Sequence, residues 1–424
     1  TGYLQQVSLL DTTINLKDQL SGKIWQIPSA DLGLRRTDQG FMINLFGDIA
    51  LGEDNLMPLD MSLLYNNNQK RAVTTIDFSG LRPSALAGEV EALSGLSDLN
   101  IPANGTLQFS VDENFSIPVM AFHMALGQGH INPNNLYEKP LPISSAALKG
   151  YIQKSESSIV LEEFQLNLGE THIQGSGLLY GSLDTPGVAI KADIADLPFM
   201  DLKSYWPGEI GKGAYLWISQ NVDAGIVPAG QLEAYITPEM WAEKELPPNA
   251  VTFAFDFQNI TAHYLRPMPV LTNMSGQAKL NLHEFSLTAE DGKIDDLKVT
   301  KADLLFTEIH KKGQGTAYIT VHMDGPLEEV LRVIDYKPLG YPSRYGIKPG
   351  SIKGASKATV KLEFPLIRKI KLTDVKFDVR AEVTELSIPR LTDNLRLSDG
   401  VMDLHVDGDT LTSVGAIRLN DIDF

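Results

Sequence analysis

Apolar residues recur at every second position along several stretches of the chain. Val188, Ile190, Ala192 and Ile194 form one row, and Val251, Phe253, Phe255 and Phe257 form a second, with Thr252, Ala254, Asp256 and Gln258 between them. Ile319, Val321 and Met323 make a third. Val375, Phe377, Val379, Ala381 and Val383 make a fourth, interleaved by Lys376, Asp378, Arg380, Glu382 and Thr384. Successive side chains of a strand point to opposite faces, so this period predicts strands with one apolar and one wetted face. Parallel strands covered on both faces would read as unbroken apolar runs instead. The spacing predicts an all-β, mainly antiparallel fold with a few short helices.

The rest of the chain fits that frame. Tyr3 to Ser79 consists of short alternating runs, such as Phe41, Ile43 and Leu45, separated by Gly, Asp and Asn. Pro83 to Leu96 is expected to be a short helix ending near Gly95, Gly325 to Asp335 another, and the Pro- and Gly-rich segment Lys337 to Gly354 a long loop. A phrase of Gly followed by apolar residues at alternate positions recurs, for example Gly105-Thr106-Leu107-Gln108-Phe109 and Gly276-Gln277-Ala278-Lys279-Leu280, which suggests repeated strands.

Tyr205 to Gly225 departs from the strand pattern and reads as a helix. Pro207 suits a first helical turn, Glu209 suits the positive N-terminal end, and Asn221, Asp223 and Gly225 are stop signals. Trp206, Ile210, Ala214, Trp217 and Ile218 fall on one face, so the helix is expected to turn two tryptophans toward something apolar.

A sheet with one apolar face must cover it with a second sheet, with itself in a barrel, with helices, or with something that is not protein. The expected helices are too few. Two readings stay open: an ordinary closed core, or an open groove filled by lipid.

Composition narrows the partners. The 424 residues include 36 basic and 53 acidic ones, and the net charge of −17 speaks against nucleic acid. The absence of cysteine removes disulfides and thiolate chemistry, and fits an oxidising compartment. No apolar run approaches the length of a membrane span; the nearest, Ile117 to Leu126, contains Pro118 and His123. A start at Thr1 without Met and a strand-like end at Phe424 read as a piece of a longer chain.

Catalytic signals are scarce. None of the eight histidines stands at a paired-ligand spacing from another, so no metal site is expected. Gly208 to Lys212 lacks the phosphate-loop spacing, no nucleophile elbow occurs, and Asp295-Asp296 reads as a turn. A carbohydrate-cleaving carboxylate pair would be a spatial feature, invisible at this stage. No catalytic residue and no cofactor is assigned.

The passage from Tyr205 through Trp217-Ile218, Gly225 and Gly230, with the strand Val251 to Phe257, Val270-Leu271-Thr272, Gly276 and Gly292, resembles the central region of the AsmA-like family in its YhdP-type branch. Leu391 to Leu419, with Leu397-Ser398-Asp399-Gly400 and Val414-Gly415, resembles the strand repeats of the same family. The likeness is fuller from 200 to 424 than from 1 to 200. It implies an elongated, twisted, open β-groove in a periplasmic protein anchored in the inner membrane, conducting phospholipids toward the outer membrane without an enzymatic step. The family's N-terminal membrane helix has no counterpart here, so attachment would come through a segment absent from this sequence, and outer-membrane or periplasmic proteins are further expected partners.

On this reading 1–200 is one groove segment and 201–424 a helix-containing second, unless a single groove runs through both. The residues expected to line the groove are Ile190, Val251, Phe253, Phe255, Phe257, Ile319, Val321, Val375, Phe377 and Val379. Trp206, Ile210, Trp217 and Ile218 are expected to cap it. The alternative is a structural or assembly-regulating periplasmic β-protein with a closed core.

Overall fold

The computed structural model describes residues 4–17, 24–51, 56–89, 99–132, 137, 139–182, 184–206, 212–243, 245–344, 346–392, 394–408, 410–420 and 422–424. They fall into two compact units: Thr1–Asp193 with Glu233–Lys244, and Ile194–Leu232 with Glu245–Phe424.

The first unit contains β1 (Gln6–Lys17), β2 (Ile24–Thr37), β3 (Gly40–Ala50), β4 (Leu56–Asn66), β5 (Arg71–Leu81), β6 (Ala103–Asp112), β7 (Val119–Leu126), β8 (Gly129–Ile131), β9 (Leu141–Ile143), β10 (Ser145–Gln153), β11 (Ser158–Leu168) and β12 (Thr171–Gly181). Antiparallel pairing runs from β1 to β7 in sequence order, then to β10, β11 and β12, while β8 and β9 form a separate hairpin. Residues directly opposite in such a ladder share a face. Leu9, Leu32, Leu45, Met61, Ile76, Leu107 and Phe122 form one unbroken apolar row across seven strands. The neighbouring row on the other face is polar where it passes Asn44, Ser62, Thr75 and Gln108. Helix α1 (Pro83–Glu89) starts at the expected proline; its expected end near Gly95 lies outside the described residues.

Two strands, β13 (Pro186–Pro198) and β14 (Val222–Ile236), contain the division between the units. The second unit continues with β15 (Val251–Ala262), β16 (Leu271–Asn281), β17 (Phe285–Glu290), β18 (Gly292–Ile294), β19 (Leu297–Thr307), β20 (Thr316–Pro326), β21 (Lys353–Pro365), β22 (Lys376–Thr392), β23 (Leu395–Asp407), β24 (Thr410–Leu419) and β25 (Ile422–Asp423). From β15 onward each pairs antiparallel with the next, except that β17 and β18 share the place between β16 and β19. In neither unit do the described residues close the ladder into a barrel.

The helical segment of the second unit differs from expectation. Helix α2 (Phe199–Tyr205) follows Pro198, and Trp206 ends it in an extended conformation, φ −88 and ψ 123. Trp206 precedes Pro207, whose ring disfavours the α conformation in the residue before it. Helix α2 is one the pattern did not announce, and the expected helix start at Pro207 and Glu209 lies outside the described residues. Helix α3 (Lys212–Asn221) leads directly into β14 at Val222, so the stop falls at Asn221, the first of the three expected stop signals. The last turn of α3 is capped: Asn221 Nδ2 donates to Trp217 O at 2.9 Å, and Arg266 Nη2 donates to Gln220 O at 2.9 Å. Helix α4 (Leu327–Asp335) matches its expectation, while the segment expected as loop contains the short helix α5 (Tyr341–Arg344) and a 3-10 turn at Pro349–Ser351.

Candidate functional site

The apolar rows legible in the sequence are joined by register into one face of the second unit. Phe255 faces Ala278, which faces Leu287, then Leu304, Ile319, Leu362 and Phe377. One step along, Phe257, Gly276, Ala289, Ala302, Val321, Val360 and Val379 form a parallel row. On the other side Phe253, Leu280, Phe285, Phe306, Ala317 and Phe364 form a third. With strands about 4.8 Å apart, six steps from β15 to β22 give a stripe of about 29 Å along the ladder.

The opposite face is polar. Asp256, Gln277, Thr288, Asp303, Thr320, Lys361 and Asp378 are successive cross-strand partners. Gln277 donates to Asp256 at 3.0 Å, Thr288 to Asp303 at 3.0 Å, and His405 Nε2 lies 2.8 Å from Asp378. The hydrogen bond from Lys301 holds the Asp303 carboxyl below the usual aspartate range, and that from His405 does the same for Asp378, helped by Arg380. The sheet therefore carries a dry side and a largely polar wet side, on which the exposed pair Leu305 and Tyr318 is an apolar exception.

Helices cover one end of the dry side. Phe199 and Leu202 of α2, Ile218 of α3, and Val330 and Val333 of α4 join a buried cluster with Phe257, Met274, Ala289, Val299 and Ala302. Leu327 and Leu331 of α4 enter a second cluster with Val383, Leu386 and Leu397. β-Bulges interrupt the register at this same end, between Phe257 and Ile260, Val299 and Lys301, and Val383 and Leu386. Such bulges bend the strands and raise the local twist.

The expected lining residues divide accordingly. Phe257 is buried at 3 %, and Phe255 and Val321 are half-buried against the same cluster. Val251, Phe253, Ile319, Phe377 and Val379 are half-buried farther along the face. Phe253 and Phe255 stack with ring centroids 4.7 Å apart, and Gly230 of β14 leaves the room they occupy, since a Cβ there would stand 2.8 Å from Phe253 Cε2. Val375 stands just before β22, and Ile190 belongs to the first unit, so neither is part of the three rows.

Among the expected capping residues, Ile218 packs into the cluster whereas Trp217 is 49 % exposed. Trp206 contacts the ring of Tyr215 at 6.4 Å between centroids. Ile210 lies outside the described residues. Consecutive helical residues point about 100° apart, so a narrow buried stripe takes one of Trp217 and Ile218 and leaves the other outward.

Sequence reasoning marked Gly276 and Ala278 as part of a strand without placing them in the face, and it missed Ala289, Ala302 and the cover supplied by α2 and α4. It also missed that His283 and His310, distant in sequence, stack with centroids 3.8 Å apart. No described helix is long and apolar enough to cross a membrane.

No curated protein and no solved structure matches the chain. A family model described as YhdP protein matches residues 75–416, well over half of the chain, and the chain belongs to the YhdP family.

Proposed function

We propose that the dry face of the second unit binds the acyl chains of phospholipids, and that the chain is a segment of a periplasmic conduit moving lipid between inner and outer membranes. The observation that carries this reading is the registered apolar stripe that continues beyond the helix-covered end, its side chains there only partly buried by protein. Its contour of about 29 Å is close to the roughly 30 Å hydrocarbon core of a bilayer. Each methylene buried contributes about 0.8 kcal/mol, so roughly eight methylenes would supply about 6 kcal/mol before ordering costs. Headgroups would stay at the wetted margin, and passage would be sliding with no covalent step. Membership in the YhdP family supports the periplasmic placement and attachment to the inner membrane through a segment outside this sequence.

Lipid copurifying with the chain, measured by native mass spectrometry and solvent extraction, tests the proposal. Ile319→Asp places a charge on the dry face and is expected to lower bound lipid several-fold. Thr320→Asp, its neighbour on the wet face, is expected to leave lipid unchanged. Equal lipid content in both variants, or no lipid in the parent chain, would instead favour a structural protein with a closed core.

A further inference from the structure

We infer that Glu245, His283 and His310 form a binding site for a divalent transition-metal ion of the zinc class at the edge of the second unit. The ligand atoms of the three side chains all lie within 4.8 Å of one another. His310 Nε2 and Glu245 Oε2 are 3.4 Å apart. That is longer than a good N–H···O hydrogen bond, and it matches the edge of a tetrahedron whose metal–ligand bonds are about 2.05 Å, which is about 3.3 Å. His283 lies parallel to His310, at an interplanar angle of 17°, so a modest swing of one ring brings the third donor in.

The site is held from three separate connections that the backbone stitches together. Glu245 lies in the segment leading to β15, His283 in the β16–β17 hairpin, and His310 between β19 and β20. Leu282 N donates to Pro248 O at 3.1 Å and Ile309 N donates to His283 O at 2.9 Å, so adjacent residues of the hairpin fasten both other segments. Within the hairpin, Asn281 Oδ1 accepts from the amides of His283 at 2.8 Å and Glu284 at 2.7 Å. A frame fixed by backbone hydrogen bonds pre-positions the donors and lowers the ordering cost of taking up an ion.

Charge is distributed to suit. Lys311 pairs with Glu308 at 2.8 Å and stands 3.9 Å from Glu245. The lysine thus sits closer to Glu308 than to Glu245, and of the two carboxylates Glu245 stands nearer the His310 ring nitrogen, at 3.4 Å against 3.8 Å for Glu308. Two nitrogens and one carboxylate suit zinc, nickel or cobalt, whereas magnesium and calcium demand oxygen shells. Water would complete the tetrahedron, and the bound ion would clamp three connections at one end of the ladder.

Isothermal titration of the chelator-stripped chain with zinc chloride is expected to give one equivalent bound, with a thermal midpoint that rises until that equivalent is reached. Magnesium chloride should produce neither effect. His283→Ala and His310→Ala should each weaken zinc at least tenfold. Glu245→Gln, which keeps the ring stack and the fold, should weaken it in the same direction. The proposal is overturned by absence of zinc uptake in the parent chain. It is equally overturned by uptake unchanged in the His283→Ala/His310→Ala double variant, which would place the ion at another pair such as His263 and Asp223.

Discussion

Phe257 lies directly across the β15–β16 ladder from Gly276, and a Cβ on that glycine would stand 3.0 Å from Phe257 Cζ and 2.7 Å from the Ala289 Cα behind it. The carbonyl of Thr288 lies closer still. Two of these obstacles are backbone, so a methyl group cannot be accommodated by turning a side chain. Gly276→Ala is therefore expected to cost about 1–3 kcal/mol, the usual penalty of overpacking, read as a lower urea midpoint with an unchanged slope. A wild-type midpoint would show that the strands yield freely here and that the aromatic ring is not seated against the glycine.

The same pair shows what was legible in the sequence. Rows built from Phe, Val and Ile announce themselves by alternation, and they gave the antiparallel class and one dry face. Gly276 and Ala278 alternate visibly as a strand phrase, but Ala289 and Ala302 are small enough to dilute the pattern, so only the register joins these strands into the same stripe. Tyr205 to Gly225 reads as helical from its periodicity, and α3 is a helix within it, while α2, which stops before the Trp206-Pro207 pair, lies upstream in a stretch that reads as strand. The pairing of His283 with His310 depends on which hairpins are adjacent, a property of the ladder that no local spacing encodes.

Ile218 and Trp217 are adjacent in α3, but only Ile218 packs against the buried cluster. Ile218→Ala is expected to destabilise the chain by about 1–3 kcal/mol, short of the full range for a fully buried isoleucine. Trp217→Ala should cost less than about 1 kcal/mol, as for an exposed position outside such a feature. Thermal unfolding of the two variants side by side checks the order. A larger loss from the tryptophan would mean that its indole, not the isoleucine, covers the apolar face.

Acid should act on the wet face first. The hydrogen bond from His405 and the nearby Arg380 guanidinium lower the Asp378 carboxyl from its ordinary value of 3.8. A depressed folded value means the contribution is fully present above the unfolded aspartate value and is lost as pH falls through the folded one. Urea midpoints are expected to drop below about pH 4, and Asp378→Asn should make that drop shallower. The same slope in both proteins would remove Asp378 from the acid response and leave it to carboxylates such as Asp303.

Helix α4 touches two clusters with different residues: Val333 enters the one containing Phe257, and Leu327 enters the one containing Val383. Six residues of helix separate them by about 9 Å along the axis. Each truncation should leave a cavity, at about 2 kcal/mol for Val333→Ala and about 2–4 kcal/mol for Leu327→Ala. Sites this far apart with no shared partners are expected to add to within about 0.5 kcal/mol. The double variant therefore separates two arrangements of the dry face. Additive losses mean that α4 seals two independent patches and that the half-buried stripe beyond Val321 lies outside the cover of the helix. A coupling above about 1 kcal/mol would mean that the clusters form one continuous core under the helix. In that case the face proposed for an acyl chain shortens toward the Phe253, Ile319 and Phe377 end.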